Sequence, residues 1–163
     1  MNTKQMSRWI IARENPTTYT YAARIAVAAV LSLLAAQVLR MPEAYWASIS
    51  SLIVLQSTWK AALPLSAQRF AGAAVGAICG WLVATYIGSN FIVYGVAILL
   101  IGMTCAALKV EQSAFRYASV TLAIIVLIVR TSSPWVIALH RFVEVSVGIA
   151  VSLGLMAIWP DKK

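Results

Sequence analysis

The chain has 163 residues, 61% of them hydrophobic and only 11% charged, with a formal net charge of +8. Soluble domains carry roughly 25% charged residues, so this composition excludes an ordinary water-soluble domain and makes lipid the solvent. Cys79 and Cys105 fall inside apolar runs without metal-ligand spacing. They read as small core hydrophobes, and no disulfide, metal site or cofactor is expected.

In chain order, residues 1–21 form a polar lead, cytoplasmic or interfacial, with one apolar patch, Trp9-Ile10-Ile11, between Arg8 and Arg13. That patch suits an interfacial segment, and so long a lead argues against a cleavable signal peptide. Six apolar runs follow, at about 22–40, 43–59, 67–87, 90–108, 115–130 and 138–159. Each is close to the ~20 residues a helix needs to cross a bilayer. Met41-Pro42 is expected to break the first run, since proline disfavours helix at the residue before it. Pro64 and Pro134 punctuate later connections, Gly88-Ser89-Asn90 makes a tight uncharged hairpin, and Pro160 ends the last helix. The expected fold is an all-α membrane protein with a six-helix transmembrane domain over residues 22–160.

The basic excess reports topology and does not call for nucleic acid. With six alternating spans and a cytoplasmic N-terminus, Lys4, Arg8, Arg13, Arg24, Lys60, Arg69, Lys109, Arg116, Lys162 and Lys163 lie on or near the inner side. Only Arg40, Arg130 and Arg141 lie outside. This positive-inside bias places both termini in the cytoplasm.

A weak internal repeat has a period of 71–72 residues. Trp46-Ala47-Ser48-Ile49-Ser50 aligns with Tyr117-Ala118-Ser119-Val120-Thr121, Gln68-Arg69-Phe70 with His140-Arg141-Phe142, and Val75-Gly76 with Val147-Gly148. Each unit holds three spans, and because three is odd the second enters the membrane from the other side. Inverted three-helix repeats are a layout of secondary transporters, whose substrate site lies near the midplane between the repeats.

Several side chains stand out against that background. Gly72, Gly76 and Gly80 share one helix face at a spacing of four, and Gly148 with Ser152 makes a similar row on the last helix. Such rows let backbones approach closely and are read as helix-packing faces. The runs around spans two and five carry Ser48, Ser50, Ser51, Gln56, Ser119 and Thr121, with Trp46 and Tyr117 at aligned positions. Hydroxyls there suit hydrogen bonds to a carboxylate and the rings suit stacking; back-bonding of the serines and an aromatic belt are the bland alternatives. Arg69 and Arg141 suit the capture of an anion by their planar forks, or else snorkel to the headgroups. Glu144 is the acidic residue expected inside a helix within the hydrocarbon, hence a proton-coupling candidate; alternatively it pairs with Arg141, three residues earlier. His140 is placed in the outer interface. No serine, histidine and acid stand at motif spacing and no glycine-rich loop precedes a phosphate-binding helix, so an enzyme is not expected.

The run Tyr45-Trp46-Ala47-x-x-Ser50, through Val54-Leu55-Gln56, to Arg69-x-x-Gly72-x-x-x-Gly76 resembles the signature of the fusaric acid resistance protein-like family. Bacterial aromatic acid exporters and, more distantly, plant aluminium-activated malate transporters are its relatives. Arg141-Phe142-x-x-x-x-x-Gly148 and Trp159-Pro160 fit the same pattern. Ala73 departs from the family's common threonine and Ser57 from its frequent proline. The resemblance implies export of weak organic acids, aromatic carboxylates in particular, across a bacterial inner membrane. A single unit without the cytoplasmic domain of many relatives implies a homo-oligomer, most simply a dimer. A passive anion channel and a non-transporting scaffold or subunit are the competing expectations.

Overall fold

The computed structural model describes residues 18–55, 58–128 and 132–159. The apolar patch of the lead, Gln56, Ser57, Arg130, Pro160 and the closing lysines lie outside the described residues. Every regular element among those described is a helix: α1 (Tyr19–Val38), α2 (Tyr45–Leu55), α3 (Trp59–Tyr86), α4 (Phe91–Ala107), α5 (Gln112–Leu127) and α6 (Pro134–Ile158).

Each expected apolar run overlaps one helix, but the bounds and lengths differ in a consequential way. α1, α3 and α6 are long and apolar enough to cross a membrane; α2, α4 and α5 are shorter. At 1.5 Å per residue the 11 residues of α2 rise roughly 16 Å, well short of a hydrocarbon core of about 30 Å. α3 is instead longer than its apolar run, because it starts at Trp59 and contains Pro64. Pro64 therefore does not mark a connection. The Thr58 carbonyl already accepts from Ala61 and Ala62, so the helix is under way before the proline. The hydrogen bond that Pro64 cannot donate falls near the exposed start of α3, where its loss costs least. Pro134 does open its helix, where a missing N–H leaves nothing unpaired.

The connections are built from capping chemistry. α1 ends with Arg40 in the left-handed region (φ 55°) and with the Met41 N–H donating back to the Ala36 carbonyl. α4 ends the same way, with Lys109 at φ 53° and the Val110 N–H donating to Cys105. Backward bonds from a left-handed residue are the usual way to satisfy terminal helix carbonyls. Between α3 and α4, Gly88 takes φ 117°, and the Asn90 side chain caps α4 by accepting from the Val93 N–H at 2.9 Å.

The core mixes small residues, alanine above all, with larger ones such as Leu55, Leu122 and Ile125. α1 buries Arg24, Ala28, Ser32 and Ala36, one residue per turn. α3 buries Gly72, Ala73, Gly76, Ala77 and Gly80. With lipid outside, large aliphatic side chains gain little by turning inward, and small ones let backbones meet. α5 lies on the glycine face of α3, and α2 lies on α6; α3 and α6 stand side by side at the centre. α1 covers α2 and α6, while α4 lies against α5. The α1–α2 pair thus packs chiefly with α6, and the α4–α5 pair with α3. The Arg24 guanidinium donates to the Trp159 carbonyl at 3.3 Å, which ties the start of α1 to the end of α6.

Candidate functional site

Two helix crossings are close enough to require glycine. A β-carbon on Gly72 would sit 2.5 Å from the Ala114 carbonyl oxygen and 2.8 Å from the Tyr117 β-carbon. One on Gly76 would run into Ala118 and Thr121 of α5, and one on Gly148 into Ala47 and Ser50 of α2. Gly80 approaches Ile125, its β-carbon position 3.0 Å from that residue's own. Gly72, Gly76 and Gly148 thus meet opposing backbone, whereas Gly80 meets the Ile125 side chain.

Between the central helices, Phe70 meets Phe142 with ring centroids 4.9 Å apart. Nearby is a narrow cavity of about 20 Å³, lined by Trp46, Arg69, Ala73, Tyr117, Val120, Thr121, Ile124, Arg141 and Val145. A cavity of that size admits about one water molecule. Both arginines are buried, Arg69 6% and Arg141 2% exposed. Neither is within one turn of a helix start, because α3 begins at Trp59 and α6 at Pro134. Both point into protein and do not snorkel outward.

Each guanidinium lies on an aromatic face. The Arg69 carbon is 4.8 Å from the Tyr117 ring centre, and that of Arg141 is 4.4 Å from the Trp46 ring centre. These are cation–π distances. The two rings that suit stacking thus already carry guanidinium groups.

Their counter-ions differ. Arg141 Nη1 donates to Glu144 Oε2 at 3.2 Å, and Arg141 also pairs with Glu43. Glu144, 1% exposed, accepts from the Glu43 backbone N–H at 3.2 Å as well. The local pair between Arg141 and Glu144 is thus present, with Glu43 added from the α1–α2 connection. Sequence reasoning missed Glu43, which lies 101 residues from Glu144 and carries no spacing signal. These groups line a second cavity of about 310 Å³, together with Arg40, Pro42, Ser132, Ile137 and His140.

Arg69 has a different environment. Its Nη2 donates to Ser50 Oγ at 2.9 Å, and among the described residues no carboxylate lies within ion-pair distance of it. Shifted by the 71–72-residue period, Glu43 and Glu144 correspond to Ala114 and Gly72. The α3–α5 crossing at Gly72 leaves no room for an acidic side chain.

The proposed hydroxyl lining divides. Ser50 is fully buried beside Arg69, and Thr121 lines the cavity while donating to its own helix at Tyr117, 3.1 Å away. Ser119 donates to Phe115 at 3.0 Å and, like the half-buried Ser48, is not part of the cavity wall. Ser152 donates to Gly148 and, across the crossing, to Ser51. A larger groove of about 460 Å³ between α3 and α6, bordered by Trp81, Trp135 and Phe142, has only apolar residues in its wall. Among the described residues no cluster of metal-binding side chains occurs.

Comparison with known proteins gives the family. The model of the fusaric acid resistance protein-like family matches residues 16–155. The chain is 33% identical over 152 residues to the uncharacterized transporter YdhK of Escherichia coli K12, and equally to that of strain O157:H7. The match covers 88% of this chain but only 23% of each relative, so the chain spans about a quarter of their length. No solved structure matches it. With its long apolar helices, the chain is a multi-pass membrane protein and belongs to the fusaric acid resistance protein-like family.

Proposed function

We propose that this chain is the membrane unit of a bacterial inner-membrane transporter that exports organic anions, aromatic carboxylic acids among them. The observation that carries the reading is Arg69: a buried cation without a carboxylate partner among the described residues, in the wall of a cavity it shares with Arg141, Trp46 and Tyr117. A buried charge is costly unless paired, so this position favours an anionic ligand. In this reading Arg69, held by Ser50, takes the carboxylate, Arg141 exchanges Glu43 or Glu144 for it, and Thr121 completes the lining.

We also infer an inverted repeat of α1–α3 and α4–α6. It is supported by matched contacts: Arg69 on Tyr117 with Arg141 on Trp46, and Gly76 at Ala118 and Thr121 with Gly148 at Ala47 and Ser50. The ring contact between Phe70 and Phe142, which are aligned with each other, lies where a pseudo-two-fold axis would pass. A cavity with room for about one water cannot hold an aromatic acid, so loading requires the α3–α5 and α2–α6 crossings to part. Six alternating segments, cytoplasmic termini and assembly as a homodimer complete the proposal. Glu144 is the proton-coupling group, since an anion taking its place on Arg141 leaves a buried carboxylate that protonation would neutralise.

The test is uptake of a radiolabelled aromatic carboxylate by proteoliposomes, with and without an imposed pH gradient. Gradient-dependent uptake that is lost in Arg69→Gln is the expected result. Uptake indifferent to the gradient would make the protein a passive channel, and no uptake of any organic acid tried would remove the transport reading.

A further inference from the structure

Two residues with unpartnered buried donors line the same small cavity. Arg69 Nε and Trp46 Nε1 are both buried without a hydrogen-bond partner, and both residues line the cavity of about 20 Å³. Arg69 is 94% shielded from solvent. Its one polar tie to the α2 helix is to a neutral hydroxyl, Ser50. Buried N–H groups seek acceptors, and a buried guanidinium seeks a negative one. The polar environment thus asks for an acceptor with charge.

The size and charge of the cavity narrow the class. A space for about one water molecule also suits a monatomic anion, whereas a carboxylic acid with a ring does not fit. Arg141 already faces two carboxylates, Glu43 and Glu144. Arg69 is the arginine of this wall with no carboxylate within ion-pair distance among the described residues, so a monovalent ion suffices to pair it locally. We propose that the cavity between Arg69, Trp46 and Tyr117 binds a small monovalent anion of halide size, which serves as the buried counter-ion of Arg69 until a larger anion displaces it. The proposal rests on reading this cavity as an anion site and specifies the ligand of its closed form.

Bromide is a suitable probe, because it is a halide that quenches tryptophan fluorescence on contact. The purified full chain in mild detergent would be titrated with sodium bromide against sodium gluconate at constant ionic strength. Intrinsic fluorescence and the unfolding temperature would be followed together. The wild-type protein is expected to show saturable quenching and a matching rise in unfolding temperature. Arg69→Gln should weaken the apparent affinity about tenfold or more, as expected for loss of a charge-assisted hydrogen bond. Trp46→Phe keeps the ring beneath Arg141 but removes one donor. It should abolish the saturable component of the quenching and weaken the thermal response several-fold, which provides a second variant if Arg69→Gln does not fold.

Linear, unsaturable quenching with no thermal shift would overturn the proposal. So would saturable binding that neither variant changes. Bromide binding without uptake of any organic acid would support this site while removing the transport reading; uptake without bromide binding would remove this site alone.

Discussion

The Arg69 guanidinium lies 4.8 Å from the centre of the Tyr117 ring, joining α3 to α5 one turn from where Gly72 touches Ala114. Close backbone packing and a buried charge thus occupy the same crossing. The glycine face brings Tyr117 near enough to cover the cation, and the cation in turn faces Ser50 of α2. Arg69→Lys should therefore fail as a substitute, because a compact ammonium neither stacks nor forks. We expect uptake at least about tenfold below wild type in both Arg69→Lys and Arg69→Gln, measured in proteoliposomes at equal protein content.

The glycines separate by their surroundings. Gly76→Ala and Gly148→Ala each force a β-carbon into the opposing backbone and should cost about 1–3 kcal/mol, read as a lower unfolding temperature in detergent. Gly95 and Gly154 have open space around the position of a β-carbon. Their alanine variants should be neutral or more stable by about 0.5–1 kcal/mol, because alanine is the better helix former.

Two serines that look alike in sequence should behave differently. Ser50→Ala removes the acceptor for Arg69 Nη2, leaving a buried donor unpaired at a cost of about 1–3 kcal/mol. Ser119 bonds only its own helix, at Phe115, so Ser119→Ala should change stability by less than about 0.5 kcal/mol. Thermal unfolding of the two variants side by side decides the point.

Glu144→Gln keeps one amide oxygen, for Arg141 or for the Glu43 N–H, and cannot release or bind a proton. Uptake by this variant is expected to persist and to become indifferent to an imposed pH gradient. Retained gradient dependence would move proton coupling to Glu43 or His140, which line the same cavity with Arg40 and Arg141.

Orientation can be read by labelling. In a background without Cys79 and Cys105, Ser89→Cys should react with a membrane-impermeant maleimide on intact cells. Lys109→Cys should react only after permeabilisation. The reverse pattern would invert the proposed topology.

Composition and the spacing of apolar runs determined, by themselves, that this chain is a helical membrane protein, and the Tyr45-Trp46 and Arg69-to-Gly76 anchors pointed to its family. That much is legible because hydropathy and small-residue spacing act along the chain. Helix lengths were less so: α3 runs back through Pro64 to Trp59, and α2 covers 11 of the described residues. The pairing of α1–α2 with α6, and of α4–α5 with α3, came only with the tertiary structure. So did the fate of each charge. Glu43 reaches Arg141 across about a hundred residues, while the glycine crossing at Gly72 leaves Arg69 with a hydroxyl and a ring. Electrostatics depends on distance in space, and no spacing along the sequence encodes which of two aligned arginines has its carboxylate.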